Sequence, residues 1–376
     1  MIPYGKQSID QEDIDAVISV LKSDFLTTGP VVKKFEAALA DYTGTTHAVA
    51  VSSGTAALHC AMYALQIGPG DEVIVPPITF ASTANCVCFQ GGTPVFADVE
   101  PDTLLIDPLK IEEKITKNTR AVIGVDYAGQ TCDWDQLRHL ADKHNLALLA
   151  DSCQALGAEY KGTKTGSLAD MTVFSFHPVK QITCGEGGMI TTDNEKFAQR
   201  LRLFRNHGIS SDFRQREQQG SWFYEMTDLG YNYRLTDIQS ALGLSQMKKL
   251  PDFLNRRREI ARQYDEAFSV MDSISPLHRK KDCAHAYHLY VVKINTDRVS
   301  RPSAFSELRA AGIGVNVHHI PVHLHPFYRK TFGYTPGLCP VAEQAYEKIL
   351  SLPIWPGMTS SDIEKVIHEV KKVILK

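Results

Sequence analysis

Residues 171–192 read MTVFSFHPVKQITCGEGGMITT, and this stretch sets the expected architecture. Two short apolar runs, residues 171–176 and 188–192, enclose a polar segment that carries Lys180. Runs of this length that are apolar on both faces are typical of strands buried between helices. The stretch therefore predicts two buried strands, with Lys180 in the connection between them.

The same kind of run recurs toward the N-terminus, where it alternates with longer segments of helical pattern. The expected strands are residues 47–51, 72–76, 94–97, 121–125 and 146–150. The expected helices are residues 54–66, 79–90, 133–144 and 194–206. This alternation predicts an α/β domain with a mostly parallel sheet between helices. Ligands bind such sheets beyond the carboxyl ends of the strands, and Asp151 and Ser175 both fall near such ends.

The last third of the chain has a mixed pattern. A helix is expected over residues 236–249, stopped by Pro251, and a charged helix over residues 253–268. Beyond them, the expected strands are residues 287–294 and 314–319, and the expected helices are residues 303–311, 341–349 and 360–374. We therefore predict a large domain over residues 1–250 and a smaller C-terminal α+β domain over residues 251–376.

The composition is that of an ordinary globular protein. The 376 residues are 43% hydrophobic and 22% charged. Forty basic residues against 43 acidic ones give a net charge of -3. This balance argues against a general surface for nucleic acid or for anionic membranes.

The sequence shows no sign of a membrane span, a signal peptide or a disulfide framework. No apolar run approaches the roughly 20 residues that span a bilayer, and the N-terminus lacks the apolar core of a signal peptide. The eight cysteines show no CxxC pair and no zinc spacing, and several lie in apolar stretches as small core residues. These features predict a cytoplasmic location and no membrane partner.

Lys180 and Asp151 together suggest a cofactor. A lone lysine in a loop is usually a solvated side chain. Here an amine and a carboxylate each follow a buried strand, an arrangement that suits pyridoxal phosphate (PLP). The lysine would form a Schiff base with the cofactor's aldehyde, and the aspartate would keep the pyridine nitrogen protonated so that the ring acts as an electron sink.

Residues 51–58, VSSGTAAL, are a candidate phosphate cradle. They end a strand and open a helix, where small residues let backbone N–H groups approach an anion and the helix N-terminus favours negative charge. The hydroxyls of Ser53 and Thr55 could add donors. The alternative is that these residues only cap the helix. Because Lys180 and Asp151 stand at matching strand ends, we favour the cradle.

Two further positions could touch the cofactor ring. Phe80 follows the strand at residues 72–76 and could stack on the pyridine; the alternative is a core phenylalanine. Asp151 could instead be a helix N-cap, although a carboxylate buried there is costly unless it is paired. Gln154, three residues later, could contact the ring oxygen.

Two polar segments follow. Residues 185–188, GEGG, lack the full spacing of a dinucleotide loop and are interpreted as a tight turn beside Lys180. Residues 230–239, GYNYRLTDIQ, lead into a helix that Thr236 or Asp237 could cap. Asn232 and Arg234, in the same segment, are free to reach a phosphate or a partner subunit.

Residues 318–328, HHIPVHLHPFY, raise the question of a metal. Their spacing fits no zinc template, and no cysteine or carboxylate completes a site. We therefore expect no metal, and we interpret the segment as a loop that faces a substrate.

Taken together, these segments resemble the DegT/DnrJ/EryC/StrS group of nucleotide-sugar aminotransferases, within the fold type I PLP enzymes. The resemblance rests on SSGTAALHCAMYAL, PPITFASTANC, DSCQALGA, FSFHPVKQITCGEGG and LGYNYRLTDIQSALGLSQMKKL, and it spans roughly residues 1–330. More narrowly, MIPYGKQSIDQEDIDAV, SDFLTTGP and HHIPVHLHPFY are similar to the members of that group that act in the pathway to pseudaminic acid. The resemblance implies a fold type I architecture and a homodimer.

The resemblance also implies a role for each motif residue. Lys180 would form the Schiff base and then move a proton between the amino-bearing carbon and the cofactor. The other implied cofactor contacts are Asp151 on the pyridine nitrogen, Gly54, Thr55 and Ser175 on the phosphate, Phe80 and Gln154 on the ring, and Asn232 on the phosphate of the partner subunit. The implied sugar-nucleotide site comprises Tyr4, Leu26, Thr27, Thr28, Gly29, Asn232, His318, His319 and Ile320.

The implied activity is a ping-pong transamination. L-glutamate would give its amino group to PLP and leave as 2-oxoglutarate, and C4 of a UDP-linked 4-keto-6-deoxy-N-acetylhexosamine would receive the amine. The alternatives are another 4-keto sugar, of the bacillosamine or a dTDP-sugar pathway, and a PLP-binding regulator without activity. A sugar dehydratase is disfavoured, because relatives with that activity carry histidine where Lys180 stands. No helix-turn-helix extension and no basic domain supports a regulator.

Overall fold

The computed structural model describes residues 1–211, 216 and 220–376. Its strands are β1 (His47–Val51), β2 (Glu72–Val75), β3 (Thr93–Phe96), β4 (Thr119–Val125), β5 (Ala147–Asp151), β6 (Glu159–Tyr160), β7 (Thr163–Lys164), β8 (Met171–Ser175), β9 (Gly188–Thr192), β10 (Ile274–Pro276), β11 (Cys283–Ala284), β12 (Tyr290–Ile294) and β13 (Ile349–Leu352). Its helices are α1 (Gln11–Leu21), α2 (Pro30–Thr43), α3 (Gly54–Ala64), α4 (Ser82–Phe89), α5 (Pro108–Glu112), α6 (Trp134–His144), α7 (Glu195–Phe204), α8 (Asp237–Met247), α9 (Leu250–Phe268), α10 (Arg301–Ala310), α11 (Pro326–Phe332), α12 (Pro340–Tyr346) and α13 (Ser360–Ile374).

The central sheet has the strand order β1-β9-β8-β5-β4-β2-β3. β9 pairs antiparallel with both of its neighbours, and every other pair in this sheet is parallel. The carboxyl ends of the parallel strands therefore meet at one edge of the sheet. The predicted α/β architecture with a mostly parallel sheet is confirmed.

The strands of this sheet are short because their apolar runs are short and buried. In β5, Leu148, Leu149 and Ala150 are buried before the chain reaches Asp151. Capping side chains begin the flanking helices: the Asp133 carboxylate accepts from the Gln136 N–H at the start of α6. Strand and helix boundaries in this part of the chain lie within a few residues of those predicted.

The C-terminal part has its own three-stranded sheet, ordered β10-β12-β13, with a separate apolar core. The helix α9 joins the two parts, because Leu254 packs in a core of the central-sheet region while Tyr264 and Phe268 pack in the C-terminal core. The N-terminus also reaches the C-terminal part, where Ile2 pairs with Ile313. The division at residue 250 stays a prediction.

One prediction about this region is wrong. Residues 314–319 do not form a strand: Asn316 exchanges backbone hydrogen bonds with Ser351, but the Asn316 side chain then accepts the Val317 N–H at 2.8 Å and ends the ladder. The helix α8 does end before Pro251, which lies in the first turn of α9, where no N–H donor is required. In the part of the chain that the structure describes, no helix is long and apolar enough to cross a membrane.

Candidate active site

The candidate site lies at the edge of the central sheet where the parallel strands end. Asp151 is the last residue of β5, and Ser175 is the last residue of β8. Gly54 opens α3 shortly after β1 ends. A Cβ added at Gly54 would lie 3.0 Å from the Ser175 Cβ and 3.2 Å from the Cys153 Sγ. The structure therefore brings these strand ends together.

The start of α3 is suited to an anion. The Ser53 side chain accepts from the Ala56 N–H at 3.1 Å, so Ser53 is the cap that the capping alternative predicts. Gly54 and Thr55 follow in the first turn, where helix N–H groups have no intrahelical acceptor. A Cβ at Gly188 would overlap the Ser53 carbonyl group, so the backbone of β9 can pass behind this turn only as glycine. Capping and anion binding can coexist here.

Asp151 is buried and is held by hydroxyl and backbone donors. Thr83 donates to the Asp151 Oδ2 at 2.7 Å, and the Cys153 N–H donates to Oδ1 at 3.2 Å. Thr79 lies 2.7 Å from the Thr83 hydroxyl. Within the described residues, no lysine, arginine or histidine lies within ion-pair distance of this carboxylate. Asp151 is thus a buried carboxylate that could accept a hydrogen bond from a cationic ligand.

Lys180 lies in a closed loop between β8 and β9. The Phe176 N–H donates to the Gly187 carbonyl at 2.8 Å, and the Cys184 N–H donates to the Phe176 carbonyl at 3.0 Å. Gly185 takes a left-handed conformation, φ 80°, as the predicted tight turn requires. Burial lowers the pKa of the Lys180 amine, and the nearby Cys153 and Asp151 partly oppose that shift. The amine is therefore easier to deprotonate than an exposed lysine.

Two other predicted cofactor residues border this loop. The Gln154 Oε1 accepts the Ala128 N–H at 2.7 Å, which fixes the orientation of the side-chain amide. The Gln154 carbonyl accepts from the Gln181 side chain at 2.6 Å and so ties the loop to the end of β5. The alternative that Phe80 is a core residue is wrong, because its side chain is 61% exposed and meets His319 edge-to-face at 6.0 Å.

The histidine segment reaches the lysine loop from the C-terminal part of the chain. The His318 Nδ1 lies 2.9 Å from the Ser351 hydroxyl, and the His318 carbonyl accepts from the Tyr127 hydroxyl. The Tyr4 and His318 rings are 5.3 Å apart. Burial, and then the charge of Lys180, lower the pKa of His318 to about 4. Burial likewise lowers the pKa of His319 well below its usual range, so both rings are neutral near pH 7.

Ile320 ends this triplet and is 43% exposed. It therefore offers an apolar surface beside the two neutral imidazoles. Tyr4, His318 and His319 form one wall near Lys180, because the Tyr4 and His318 rings are in contact and the Lys180 charge acts on both imidazoles.

The turn at Leu26, Thr27, Thr28 and Gly29 is held by a residue that lies far from it in the sequence. The buried Asp237 accepts the Gly29 N–H at 2.6 Å and the Val31 N–H at 2.8 Å. Gln239, on the same helix, donates to the Glu186 carbonyl at 2.9 Å. The helix α8 therefore connects this turn to the lysine loop, while the turn's own hydrogen bonds do not reach Lys180.

Asn232 precedes Tyr233, whose carbonyl accepts the Ser52 N–H at 2.8 Å, just before the start of α3. It is exposed and bridges to Asn206. It follows an apolar patch, Trp222, Phe223, Tyr224, Met226 and Leu229, whose exposed fractions run from 52% to 85%. A contiguous exposed patch of this kind marks an interaction surface.

Sequence reasoning missed several residues. Thr79 and Thr83 carry a signal, since hydroxyls four residues apart follow a predicted buried strand. Asp237 was considered only as a helix cap, and its bonds to residues 29 and 31 cannot be read from spacing. His288 is buried in a predicted strand, and burial followed by the Lys180 charge lowers its pKa well below the usual range.

The described histidines do not form a metal centre. Among residues 1–211, 216 and 220–376, no group of three or more histidine, cysteine, aspartate or glutamate side chains could hold a metal ion. His323 instead pairs with Glu343 at 2.8 Å.

The chain matches the model of the DegT/DnrJ/EryC1/StrS aminotransferase family over residues 7–371. The chain belongs to that family. It is 42% identical over 377 residues to the spore coat polysaccharide biosynthesis protein SpsC of Bacillus subtilis, covering 99% of this chain and 97% of SpsC.

Solved structures of sugar aminotransferases match the whole fold. The PMP-form of the putative sugar aminotransferase Spr1654 from Streptococcus pneumoniae has a TM-score of 0.94 at 34% identity, over 100% of this chain and 99% of Spr1654. Helicobacter pylori PseC, an aminotransferase involved in the biosynthesis of pseudoaminic acid, has a TM-score of 0.93 at 35% identity, over 100% of this chain and 99% of PseC.

This family member is a PLP-dependent sugar aminotransferase, and its own residues fit the cofactor. Asp151 is a buried carboxylate with no cationic partner in the described chain. Gly54 and Thr55 stand at a helix N-terminus, and Ser175 is packed against them. Lys180 provides an amine with a lowered pKa at the same sheet edge. An acceptor for a cation (Asp151), a cradle for an anion (Gly54 and Thr55) and an amine (Lys180) therefore lie together at this edge of the sheet.

Proposed function

We propose that this enzyme transfers the amino group of L-glutamate to C4 of a UDP-linked 4-keto-6-deoxy-N-acetylhexosamine. The product would be UDP-4-amino-4,6-dideoxy-N-acetyl-β-L-altrosamine, for the biosynthesis of pseudaminic acid. The observation that carries this proposal is the likeness to PseC over the whole chain, at 35% identity and a TM-score of 0.93.

The proposed residue roles follow from the site. Bound PLP would supply a carbonyl for the amine and an electron-withdrawing ring. Asp151 would accept from the pyridine nitrogen, Gly54, Thr55 and Ser175 would hold the phosphate, and Phe80 and Gln154 would border the ring. The Lys180 amine, with its lowered pKa, would take the proton from the amino-bearing carbon.

The sugar side of the site is proposed to be the neutral wall and the turn. The Tyr4 hydroxyl and the imidazoles of His318 and His319 can donate or accept hydrogen bonds without a charge. Such groups suit sugar hydroxyl, keto and acetamido groups. Ile320 and the turn at residues 26–29 would border the nucleotide.

A homodimer with shared sites is part of the proposal. Asn232 is exposed beside the apolar patch, and its proposed contact is the phosphate in the partner subunit's site. Burying the patch against a second copy would remove its side chains from water.

The dimer can be tested with two variants, each expected to be inactive alone. Lys180→Ala and Asn232→Ala are purified separately, then mixed, denatured and refolded together. Mixed dimers place both substitutions in one site and leave the other intact, so activity should recover to about a quarter of the wild-type level. If mixed dimers form but activity does not recover, the two subunits do not share their active sites.

SpsC supports a second candidate. SpsC is 42% identical to this chain and is a spore coat polysaccharide biosynthesis protein, which favours a different 4-keto nucleotide sugar. Candidates are the sugars of the bacillosamine and dTDP-sugar pathways. The chemistry of Lys180 and Asp151 would be unchanged.

Mass spectrometry separates these candidates. The enzyme is incubated with PLP, L-glutamate and one 4-keto sugar nucleotide at a time, namely the UDP-linked L-altro- and D-gluco-type 6-deoxy-N-acetyl sugars and a dTDP-sugar. Amination of the L-altro-type substrate alone supports the proposal. Amination of another sugar would place the enzyme in that sugar's pathway. No amination despite bound PLP would favour a sugar outside this panel or a regulator without activity.

A further inference from the structure

The carboxylate of Asp151 stands at the end of a chain of two hydroxyl groups. The Thr83 hydroxyl lies 2.7 Å from the Asp151 Oδ2, and the Thr79 hydroxyl lies 2.7 Å from the Thr83 hydroxyl. Exposed fractions are 0% for Thr83, 2% for Thr79 and 5% for Asp151. Water therefore has little access to the chain, and each hydroxyl depends on its protein partner.

The hydrogen bonds in this chain can run in only one direction while Asp151 is ionised. A carboxylate only accepts, so the single proton of Thr83 must point at Oδ2. The oxygen of Thr83 is then free to accept, and the proton of Thr79 must point at it. Each bond strengthens the next, because a hydroxyl that accepts becomes a better donor.

The chain occupies one carboxylate oxygen and leaves room at the other. Oδ1 receives the longer Cys153 N–H contact, at 3.2 Å, and the Cys153 thiol also bonds to this carboxylate. A hydroxyl that donates to one oxygen fixes the orientation of the carboxylate. Without the Thr83 bond the carboxylate would be free to turn, and a displaced carboxylate would no longer hold a proton on the pyridine nitrogen.

We infer that Thr83 is a positioning residue for transamination: its hydroxyl holds the Asp151 carboxylate in place, so that the pyridine nitrogen of bound PLP stays protonated, and Thr79 supports Thr83 from behind. The inference rests on the proposed role of Asp151. It does not depend on which sugar is the substrate.

A purely structural role is the competing explanation. Thr79 and Thr83 also connect the end of β2 to the start of α4, and their bond could serve only to hold that connection. The two explanations differ in one respect. A structural role changes stability, whereas a positioning role also changes the protonation of the cofactor.

The test uses the holoenzyme reconstituted with PLP that carries ¹⁵N in the ring. Thr83→Val removes the hydroxyl and keeps the side-chain shape, Thr83→Ser keeps the hydroxyl, and Thr79→Val removes only the outer bond. Thr172→Val is the matched control, since its buried hydroxyl on the neighbouring strand β8 has no hydrogen-bond partner in the described structure. The readouts are the ¹⁵N chemical shift of the pyridine nitrogen and kcat for the glutamate half-reaction.

Thr83→Val is expected to move the ¹⁵N signal toward the unprotonated value and to lower kcat about 10- to 100-fold, as for the loss of one hydrogen bond to a charged group. Thr83→Ser should restore both, Thr79→Val should show a smaller change in the same direction, and Thr172→Val should match wild type. An unmoved ¹⁵N signal in Thr83→Val overturns the inference, whatever happens to stability.

The variant Asp151→Asn tests the proposed pairing of Asp151 with the pyridine nitrogen separately from the role of Thr83. If Asp151→Asn moves the ¹⁵N signal and Thr83→Val does not, the hydroxyl chain is only structural and the role of Asp151 stands. If neither variant moves the signal, Asp151 is not the partner of the pyridine nitrogen and both ideas fail. Neither result depends on the sugar panel, because only PLP and glutamate are used.

Discussion

Asp151 and Ser175 end neighbouring parallel strands, whereas His318 lies outside the sheet and is held by Tyr127, Ser351 and Asn316. The same contrast divides the whole site. The cofactor half, which we define as Gly54, Thr55, Asp151, Ser175 and Lys180, comprises residues proposed to hold PLP and is built on one edge of the central sheet. The sugar half, which we define as Tyr4, residues 26–29 and residues 318–320, comprises residues proposed to hold the sugar nucleotide and is assembled from separate parts of the chain.

The difference teaches where this fold can change. The cofactor half is fixed by the pairing of β5 with β8 and by backbone packing at glycines, so its geometry is that of the sheet itself. The sugar half is fixed by long-range hydrogen bonds outside the sheet, such as those that join Gly29 and Val31 to Asp237. Substrate choice can therefore vary in the sugar half while the cofactor half keeps its chemistry.

The largest expected effect is the loss of the Lys180 amine. We expect Lys180→Ala to lower the rate of amino-sugar formation about 10,000-fold or more, because no other described group at this edge combines an amine with a lowered pKa. Cofactor should still be retained through Asp151 and the cradle. Product analysis and the absorption spectrum of the purified variant measure the two effects.

Failure of the Lys180 prediction would contradict the division of the site into a cofactor half and a sugar half. Normal turnover by Lys180→Ala would place the essential base elsewhere, with the sugar half as the first place to look. Loss of bound cofactor together with activity would mean that the cradle cannot hold PLP by itself.

A matched pair of glycine variants compares the two halves directly. In the sugar half, a Cβ at Gly29 would lie 2.7 Å from the carboxyl carbon of Asp237. Displacing the turn by about 1 Å should raise KM for the sugar nucleotide about 100-fold with little change in PLP affinity. Gly54→Ala, which crowds Ser175 and Cys153, should instead weaken PLP binding and leave KM for the sugar near wild type.

Steady-state kinetics and PLP titration check both glycine variants. If Gly29→Ala and Gly54→Ala weaken PLP binding equally, the halves are one coupled unit and the comparison fails. Similar thermal stability of the two variants is the control, since it shows that neither effect comes from unfolding.

The sugar half should also carry a pH dependence. The pKa of His318 is lowered to about 4, chiefly by burial and then by the Lys180 charge. Between pH 6.5 and 4 the unfolded chain binds a proton at this residue and the folded chain does not. Stability that is fully present above pH 6.5 is therefore lost as the pH falls, by about 2 kcal/mol at pH 5.

Chemical denaturation of the cofactor-free protein at pH 7.5 and pH 5 measures this effect, at one protein concentration. The control is His318→Asn, which cannot titrate and should lose about 2 kcal/mol less than wild type between the two pH values. An equal loss in both proteins would mean that His318 is not buried as described.

The cofactor half was largely predictable from sequence, because its residues follow apolar runs whose order in the chain fixes their neighbours in a parallel sheet. Lys180 and Asp151 each carry such a signal. The support behind Asp151 was not predicted, since Thr83 comes from a different strand connection and only tertiary structure brings its hydroxyl to the carboxylate.

The sugar half was predictable only through the family resemblance. Nothing in the spacing of the chain joins His318 to Tyr127, or Gly29 to Asp237. The wrong strand at residues 314–319 has the same origin, because the apolar pattern does not reveal that the Asn316 side chain takes the next N–H. Local sequence patterns therefore predict the strands of the sheet, whereas the rest of the site depends on long-range contacts that these patterns do not reveal.

Phe80 offers the smallest test, at the boundary between the two halves. Its ring is 61% exposed and meets His319 of the sugar half, yet its proposed partner is the cofactor ring. Stacking of aromatic rings contributes about 0.5–1.5 kcal/mol, so Phe80→Leu should weaken PLP binding about 3- to 10-fold. Phe80→Tyr keeps the ring and should bind PLP like wild type in the same titration. If Phe80→Leu raises KM for the sugar nucleotide instead and leaves PLP affinity unchanged, Phe80 belongs to the sugar half with His319, and the boundary between the halves passes between the cofactor ring and this side chain.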